Sequence, residues 1–323
     1  MNNEMPSLQP IIKLNRDMIK ALRRDYPGGV TTNEARFLVD TYYTVQKSRI
    51  ANILRSKGLD RDAKKEGNEP EPHEALDRFA QDFQIHEENV AKLLGWYVQT
   101  HPMAWFFDAT KGVGPVTSAG LLAHIDITRC PTVGHIYSFA GLDPSKKWNK
   151  GEKRPWNTQL KTICWKIGDS FVKLSKRPDA YYGQYYAKAK AEYWRRNLAG
   201  EYIEQATAAM ATKKYGKSTE QYHWYSGHCK PDVIREQLEE GDPVSFAKAM
   251  AGEDEVGVPM LSPGHIDARA RRATVKLFLS HLHECWRREL DLPLVAPFAI
   301  AIKGHAHYLP PPQMEYREST RVE

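Results

Sequence analysis

The feature that most constrains this chain is a glycine corner set between two apolar helical stretches. Ala104-Trp105-Phe106-Phe107-Asp108 reads as a short helix, Gly112-Val113-Gly114-Pro115 as a hairpin, and residues 117–125 as a second helix. Glycine permits the tight turn, and proline cannot continue the preceding helix. A helix-hairpin-helix of this kind turns backbone N–H groups outward, and the dipole of its second helix favours an anion there. Lys111, Gly112 and Gly114 are then candidates for a phosphate contact that reads no base. The same glycines also suit a plain helix–helix corner, and both readings stand.

Residues 136–142 form a short apolar element, and Gly141 and Pro144 mark a turn. The loop over residues 145–157 then carries Lys146, Lys147, Lys150, Lys153 and Arg154 against one acid, Glu152. Trp148 and Trp156 are interleaved with these cations. Such cations neutralise phosphates, and indoles offer stacking faces to unpaired bases. The rival reading is a solvated loop anchored by its tryptophans. Lys161, Lys166 and Lys173 carry the charge along the next helix, whose apolar side is Leu160, Ile163, Ile167, Phe171 and Leu174. Asn157 is placed to cap that helix.

The first hundred residues are expected to be helical. An amphipathic helix over 8–24 stops at Tyr26-Pro27-Gly28-Gly29. Thr31 and Glu34 have capping-box spacing, and a helix runs from there to about Lys57. Residues 58–72 read as a polar loop. A second long helix spans 73–100, with Leu76, Phe79, Phe83, Val90, Leu93, Leu94 and Tyr97 as its apolar face. Two such helices make an antiparallel hairpin or coiled coil, either as a packed subdomain or as a dimerising arm. No apolar strand bearing an aspartate occurs here, which excludes the opening of an RNase H-like nuclease.

Further on, Tyr181, Tyr182, Tyr185, Tyr186, Tyr193 and Trp194 recur too densely for one narrow buried face. They read either as a nucleic-acid or dimer contact or as a wide packing face. Residues 236–255 are acidic, with Glu236, Glu239, Glu240, Asp242, Glu253, Asp254 and Glu255, and read as a solvated patch. The last long helix starts at Ser262-Pro263-Gly264, buries Ala268, Val275, Leu279, Leu282 and Trp286, and presents a basic ridge of Arg269, Arg272 and Lys276 with Arg271 nearby. His281 with Cys285, and His305 with His307, match no recognised zinc spacing, and no HNH nuclease pattern is present. Residues 311–323 read as a flexible tail.

At 323 residues and 41% hydrophobic content the chain can bury a real core. A net charge of +6 is compatible with an anionic partner without identifying one. Cys130, Cys164, Cys229 and Cys285 are scattered, which suits a reduced cytoplasmic protein better than a disulfide scaffold. No leader or bilayer-spanning apolar run is visible, so no membrane partner is expected.

Over residues 111–171 the run GVGPVTSAGLLAHIDITRCPTVGHIYSFAGLDPS resembles the C-terminal domain of the bridge-RNA-guided insertion-sequence transposases. That domain has a helix-hairpin-helix and, after an AGL-P motif, a nucleophilic serine. Here Lys147-Trp148-Asn149-Lys150-Gly151 follows, without the serine, and Ser145 lies earlier. Over residues 30–310 the chain is similar to the Tas proteins of the tandem interspaced guide RNA (TIGR-Tas) systems of phages and parasitic bacteria. The similarity rests on the helical hairpin, GVGPVTSAG, RPWNTQLKTICWKIGDSF, SPGHIDARARRATVKLFLSHLHE and the later GHAH. Those proteins join a coiled coil to a Nop-like domain, the type that holds guide RNAs in box C/D ribonucleoproteins. With neither a RuvC nor an HNH nuclease, the chain resembles the nuclease-free TasA type.

This resemblance implies a mainly α protein: a helical or coiled-coil region over 1–100, a Nop-like guide-RNA-binding domain over 101–310, and the tail. It implies a small guide RNA (tigRNA) that pairs with target DNA, so that base pairing reads the sequence. It further implies a homodimer, no cofactor or metal, and no catalytic residue, and leaves open a nuclease acting in trans. The expected RNA- or DNA-binding residues are those of the hairpin, the lysine–tryptophan loop through Asn157, Lys161, Lys166, Lys173, the ridge with Arg271, and His305. The alternatives are a diverged insertion-sequence transposase or recombinase and a guide-free DNA-binding architectural protein.

Overall fold

The computed structural model describes residues 11–212, 215–241, 243–250, 257–295 and 308–320. The described residues are mainly helical, as expected, and contain no strand; Cys229 and Met250 form one isolated antiparallel bridge. The chain divides into two compact units, residues 1–163 with 282–323, and residues 164–281.

In the first unit, α1 (Arg16–Asp25) begins later than expected, because the Asn15 side chain accepts from Met18 N and fixes the start there. The preceding segment is pinned to α3 (Glu74–Thr100) instead: Leu14 N donates to Asn89 Oδ1, and Asn89 Nδ2 donates to Ile12 O, both at 2.8 Å. The capping box of Thr31 and Glu34 opens α2 (Thr32–Lys65) as the spacing predicts. That helix runs past Lys57 through the segment expected as loop. One glycine, Gly58, costs a helix only about 1 kcal/mol, and LDRDAKK behind it is compatible with helix. Termination waits for Gly67, at φ +78°, where Asn68 N donates to Ala63 O in a Schellman-type closure.

The hairpin of α2 and α3 carries a polar core of its own. Glu87 is buried on α3 and accepts from Tyr42 Oη at 3.0 Å, Gln46 Nε2 at 2.8 Å and Arg49 Nε at 2.7 Å. Burial pushes its carboxyl up, but the hydrogen bonds from Arg49, Gln46 and Tyr42 outweigh burial and hold it below the usual range. Arg49→Ala should therefore cost about 2 kcal/mol in urea unfolding at neutral pH, because it leaves a buried carboxylate short of its ion-pair partner. The folded carboxyl titrates below its unfolded value, so this contribution is present above a pH of about 4.3 and fades as pH falls through the folded value. A wild-type–variant gap that does not narrow under acid would contradict the assignment.

Val90, Leu94 and Tyr97 of the predicted α3 face are buried, joined by Trp96 and Val98, whereas Phe79 is exposed. Both long helices pack on α5 (Pro115–His124), which is buried from Ser118 to His124. At Gly120 an added Cβ would lie 2.6 Å from Ile163 Cδ1, so the glycine permits this close packing. A further correction falls in the expected tail. Gln313–Thr320 is a helix (α14 below), with Gln313 Nε2 donating to Thr110 Oγ1 at 2.9 Å and Arg317 paired with Glu289.

The second unit holds α8 (Tyr181–Leu198), α9 (Ile203–Thr212), α10 (Glu220–Ser226), α11 (Pro231–Glu239) and the short α12 (Phe246–Ala249). It also holds the larger parts of α7 (Thr158–Lys173) and α13 (Pro263–Glu289). The dense aromatics of α8 serve two buried clusters. Tyr182 stacks on Phe171 at 4.9 Å and meets Phe278 edge-on at 5.3 Å, while Trp194 lies 6.2 Å from Trp224. Tyr181 alone of the six is exposed.

His281 Nδ1 pairs with Tyr182 Oη at 2.8 Å, and no group of three or more metal-ligating side chains occurs among the described residues. Burial pushes the Cys164, Cys229 and Cys285 thiols up to about 12. Glu236, Glu239 and Glu240 are exposed, while Asp242, Glu253, Asp254 and Glu255 lie outside the described residues. No helix among the described residues is long and apolar enough to cross a membrane.

Candidate nucleic-acid interface

The hairpin forms where the residue types demand it. At the end of α3, burial pushes His101 down to about 4, so its ring is neutral and Nδ1 accepts from Met103 N at 3.1 Å. That bond turns the chain into α4 (Ala104–Asp108). Thr110 Oγ1 donates to Phe106 O at 2.7 Å and closes the helix. Gly112 then sits at φ +94°, a left-handed conformation that favours glycine. Gly114 differs: its φ is −88°, and an added Cβ would meet nothing within 4 Å. Neither conformation nor packing requires glycine there, which leaves open space in front of the backbone. Gly114 is the N-cap of α5 and no side chain caps the helix, so its first N–H groups retain capacity for an external acceptor.

The lysine–tryptophan loop is a built structure. It follows α6 (Val133–Phe139) and Gly141, which has φ +65° and no room for a Cβ beside Trp156. Ser145 N and Oγ both donate to Asp143 Oδ1, at 3.0 and 2.7 Å. The single acid organises the rest. Glu152 accepts from Asn149 N and Nδ2, both at 3.2 Å, and its carbonyl accepts from Trp148 Nε1 at 2.7 Å. The Arg154 guanidinium lies over the Trp148 ring at 4.8 Å. Trp156 is half-buried with Lys161 Nζ 4.1 Å above its ring, and burial, then Arg154, lowers the Lys161 ammonium. Lys146, Lys147, Lys150 and Lys153 are exposed, and none forms an ion pair among the described residues. Asn157 caps α7 as expected, its Oδ1 accepting from Leu160 N at 2.9 Å.

In the second unit the predicted cations divide. Arg271 is bound inward: it pairs with Asp267 at 2.9 Å, approaches Asp169 at 3.9 Å, and lies 5.6 Å over Trp165. Lys173 pairs with Asp169 at 2.8 Å. Arg269 lies over Tyr202 at 4.4 Å and Tyr193 at 5.3 Å and donates to Gln205 at 2.8 Å. Arg272 is exposed, and Lys166 and Lys276 are half-buried. His305 lies outside the described residues.

Two features escaped the sequence reading. One is a cavity of about 570 Å³ lined by Arg16, Lys20, Arg23, Lys92 and Trp96, where Arg23 lies 5.9 Å over the indole. The recurrence of cations on α1 was its visible signal; Lys92 and Trp96 come from a distant helix. The other is a cavity of about 540 Å³ lined by Arg36, His124, Asp126, Arg129, His135, Phe139 and Asn157. Only the histidine ending the apolar run GLLAH hinted at it.

Residues 106–163 match the family model described as Transposase IS116/IS110/IS902 family. The match begins in α4, spans the hairpin and the whole loop, and ends within α7. No curated protein and no solved structure matches the chain.

Proposed function

We propose, from a transposase-like segment on a mainly helical frame, that this chain is an RNA-guided DNA-targeting protein of the Tas type. It holds a small guide RNA through a Nop-like domain, leaves sequence reading to guide–DNA pairing, and has no nuclease of its own. One observation carries the reading: four exposed lysines, without ion pairs among the described residues, stand on a loop that Glu152 and Trp148 hold in shape. A loop already ordered loses less entropy on binding, and cations not committed to carboxylates can replace counterions along a phosphate backbone. The open backbone at Gly114 and the uncapped start of α5 add a phosphate site of the kind helix N-termini provide. Exposed Ile50, Leu54, Leu59 and Phe79 on the long helices support a homodimer through that arm.

The test is to purify the protein without nuclease treatment, sequence any RNA that copurifies, and titrate that RNA at several salt concentrations. A discrete small RNA is expected. Changing Lys147, Lys150 and Arg154 together to alanine should weaken binding at least tenfold at low salt and reduce the log–log salt slope by about 2. No discrete RNA, together with no salt-dependent binding, would sink the reading.

The family match also favours a second reading, a diverged insertion-sequence transposase. Ser145, whose hydroxyl donates to Asp143, would be its nucleophile. Strand transfer in magnesium that is abolished by Ser145→Ala would decide for it.

A further inference from the structure

The second cavity lies entirely within one compact unit, and at about 540 Å³ it falls in the range that encloses a small organic ligand. Its wall holds an unmet polar group. His124 is 8% exposed, and its Nε2 is buried with no hydrogen-bond partner. Burial, then Arg36, keeps the imidazole below its ordinary value, so the ring is neutral and offers one donor or one acceptor. A buried polar atom left without a partner is destabilising; Nε2 is closed to water, and a ligand edge satisfies it once the wall beside it shifts slightly.

The other lining groups define that ligand. Phe139 is 42% exposed and gives an aromatic face. Asn157 uses its Oδ1 on Leu160 N, which leaves the amide N–H donors. Arg36 and Arg129 are exposed residues, Arg36 with its Nε donating to Ala123 O and its terminal nitrogens toward the cavity rim, and His135 turns Nδ1 to Thr132, leaving Nε2. Asp126 also lines the cavity, but its carboxylate accepts from Thr128 N at 3.1 Å and Thr128 Oγ1 at 2.6 Å and is engaged by its own turn. An aromatic face, a neutral polar edge, amide donors and rim cations match a planar polar ring that carries a phosphate.

We propose that this cavity takes one unpaired nucleotide, its base on Phe139 with an edge at His124 and its phosphate at Arg129 and Arg36. The proposal rests on the nucleic-acid reading above for a strand as the source of that nucleotide. Asn157 N donates to Phe139 O at 2.9 Å, so the end of the lysine loop is also a wall of the cavity.

The experiment titrates the full chain with the four ribonucleoside 5′-monophosphates by calorimetry, and with an RNA trinucleotide carrying central 2-aminopurine by fluorescence. Saturable binding of at least one probe is expected, weakened about tenfold or more by Phe139→Ala and by Arg129→Ala at unchanged melting temperature. Both substitutions are at exposed residues; His124→Gln keeps a polar edge and should alter which base binds best. Saturation by the trinucleotide identifies a strand as the source, and saturation by the monophosphates alone identifies a free nucleotide. No saturable binding of either probe, or binding unchanged in Phe139→Ala and Arg129→Ala, overturns the proposal. The copurified-RNA assay is scored separately, so loss of RNA binding with mononucleotide binding intact removes the strand and not the cavity.

Discussion

Gly183→Ala should lower the melting temperature by about 5–10 °C and cost about 3 kcal/mol in urea unfolding, against the direction that helix propensity predicts. Alanine is better than glycine inside a helix by about 1 kcal/mol, and Gly183 lies in the first turn of α8. Close packing reverses that sign. A Cβ at this position would lie 2.4 Å from Leu174 O and 2.7 Å from Leu174 C. Both are backbone atoms at the turn after α7, so no rotamer change relieves the clash. The helix would have to lift off the turn, and Tyr182 one residue earlier is stacked on Phe171 at 4.9 Å. Gly58→Ala is the matched control. Gly58 is interior to α2 and its Cβ would meet nothing within 4 Å, so the same change should stabilise by about 0.5–1 kcal/mol. Equal shifts at the two positions would show that the tight approach at Leu174 does not exist.

Arg287→Ala is expected to cost about 3 kcal/mol, with arginine-to-lysine recovering less than half. The side chain is buried on α13 and donates to three carbonyls: Pro293 at 2.8 Å, Ile127 at 3.1 Å and Cys130 at 3.2 Å. His283 Nε2 shares Cys130 O at 2.8 Å. A guanidinium carries its donors in a fixed fork and spans these acceptors together; an ammonium is a point donor. Removal takes the guanidinium from Pro293 O and leaves Ile127 O with Cys130 N alone and Cys130 O with His283 Nε2 alone. That backbone, residues 127–130, carries Arg129, so mononucleotide binding should weaken along with stability. Thermal unfolding and the calorimetric titration, run on the same preparations, check both. A loss below 0.5 kcal/mol would mean that water replaces the guanidinium without penalty.

The elements with local causes were legible in the sequence. The capping box at Thr31, the cap at Asn157 and the glycine hairpin before Pro115 each depend on residues within four positions of one another. Helix ends without a strong local stop were less so. Gly58 looked like a boundary, yet one glycine cannot outweigh the good helix formers after it. The helix at Gln313–Thr320 was hidden behind three prolines, because what orders it comes from Thr110 and Glu289.

Charge was visible in the sequence, but its commitment was not. The lysine loop and the arginine ridge look alike as composition. Asp267 stands one helical turn before Arg271, but only the fold adds Asp169 and brings the tyrosines to Arg269, while Lys146, Lys147, Lys150 and Lys153 form no ion pair among the described residues. The nucleotide-sized cavity was invisible for a related reason. Its lining comes from α2, α5, α6, the start of α7 and the loops beside them, and no periodicity links Arg36 to His124 or Phe139.

The division of the chain also bears on the order of its synthesis. The unit with the hairpin and the lysine loop is assembled from residues 1–163 and 282–323, whereas the other unit is one continuous stretch. A ribosome therefore completes residues 164–281 before it supplies Arg287, His283 and α14 to the first unit. Until then the backbone at Ile127 and Cys130 lacks these side-chain donors. Such non-local closure slows folding relative to a unit with local contacts. In a nascent chain, a ligand site built on residues 124–139 would mature last although it is translated early.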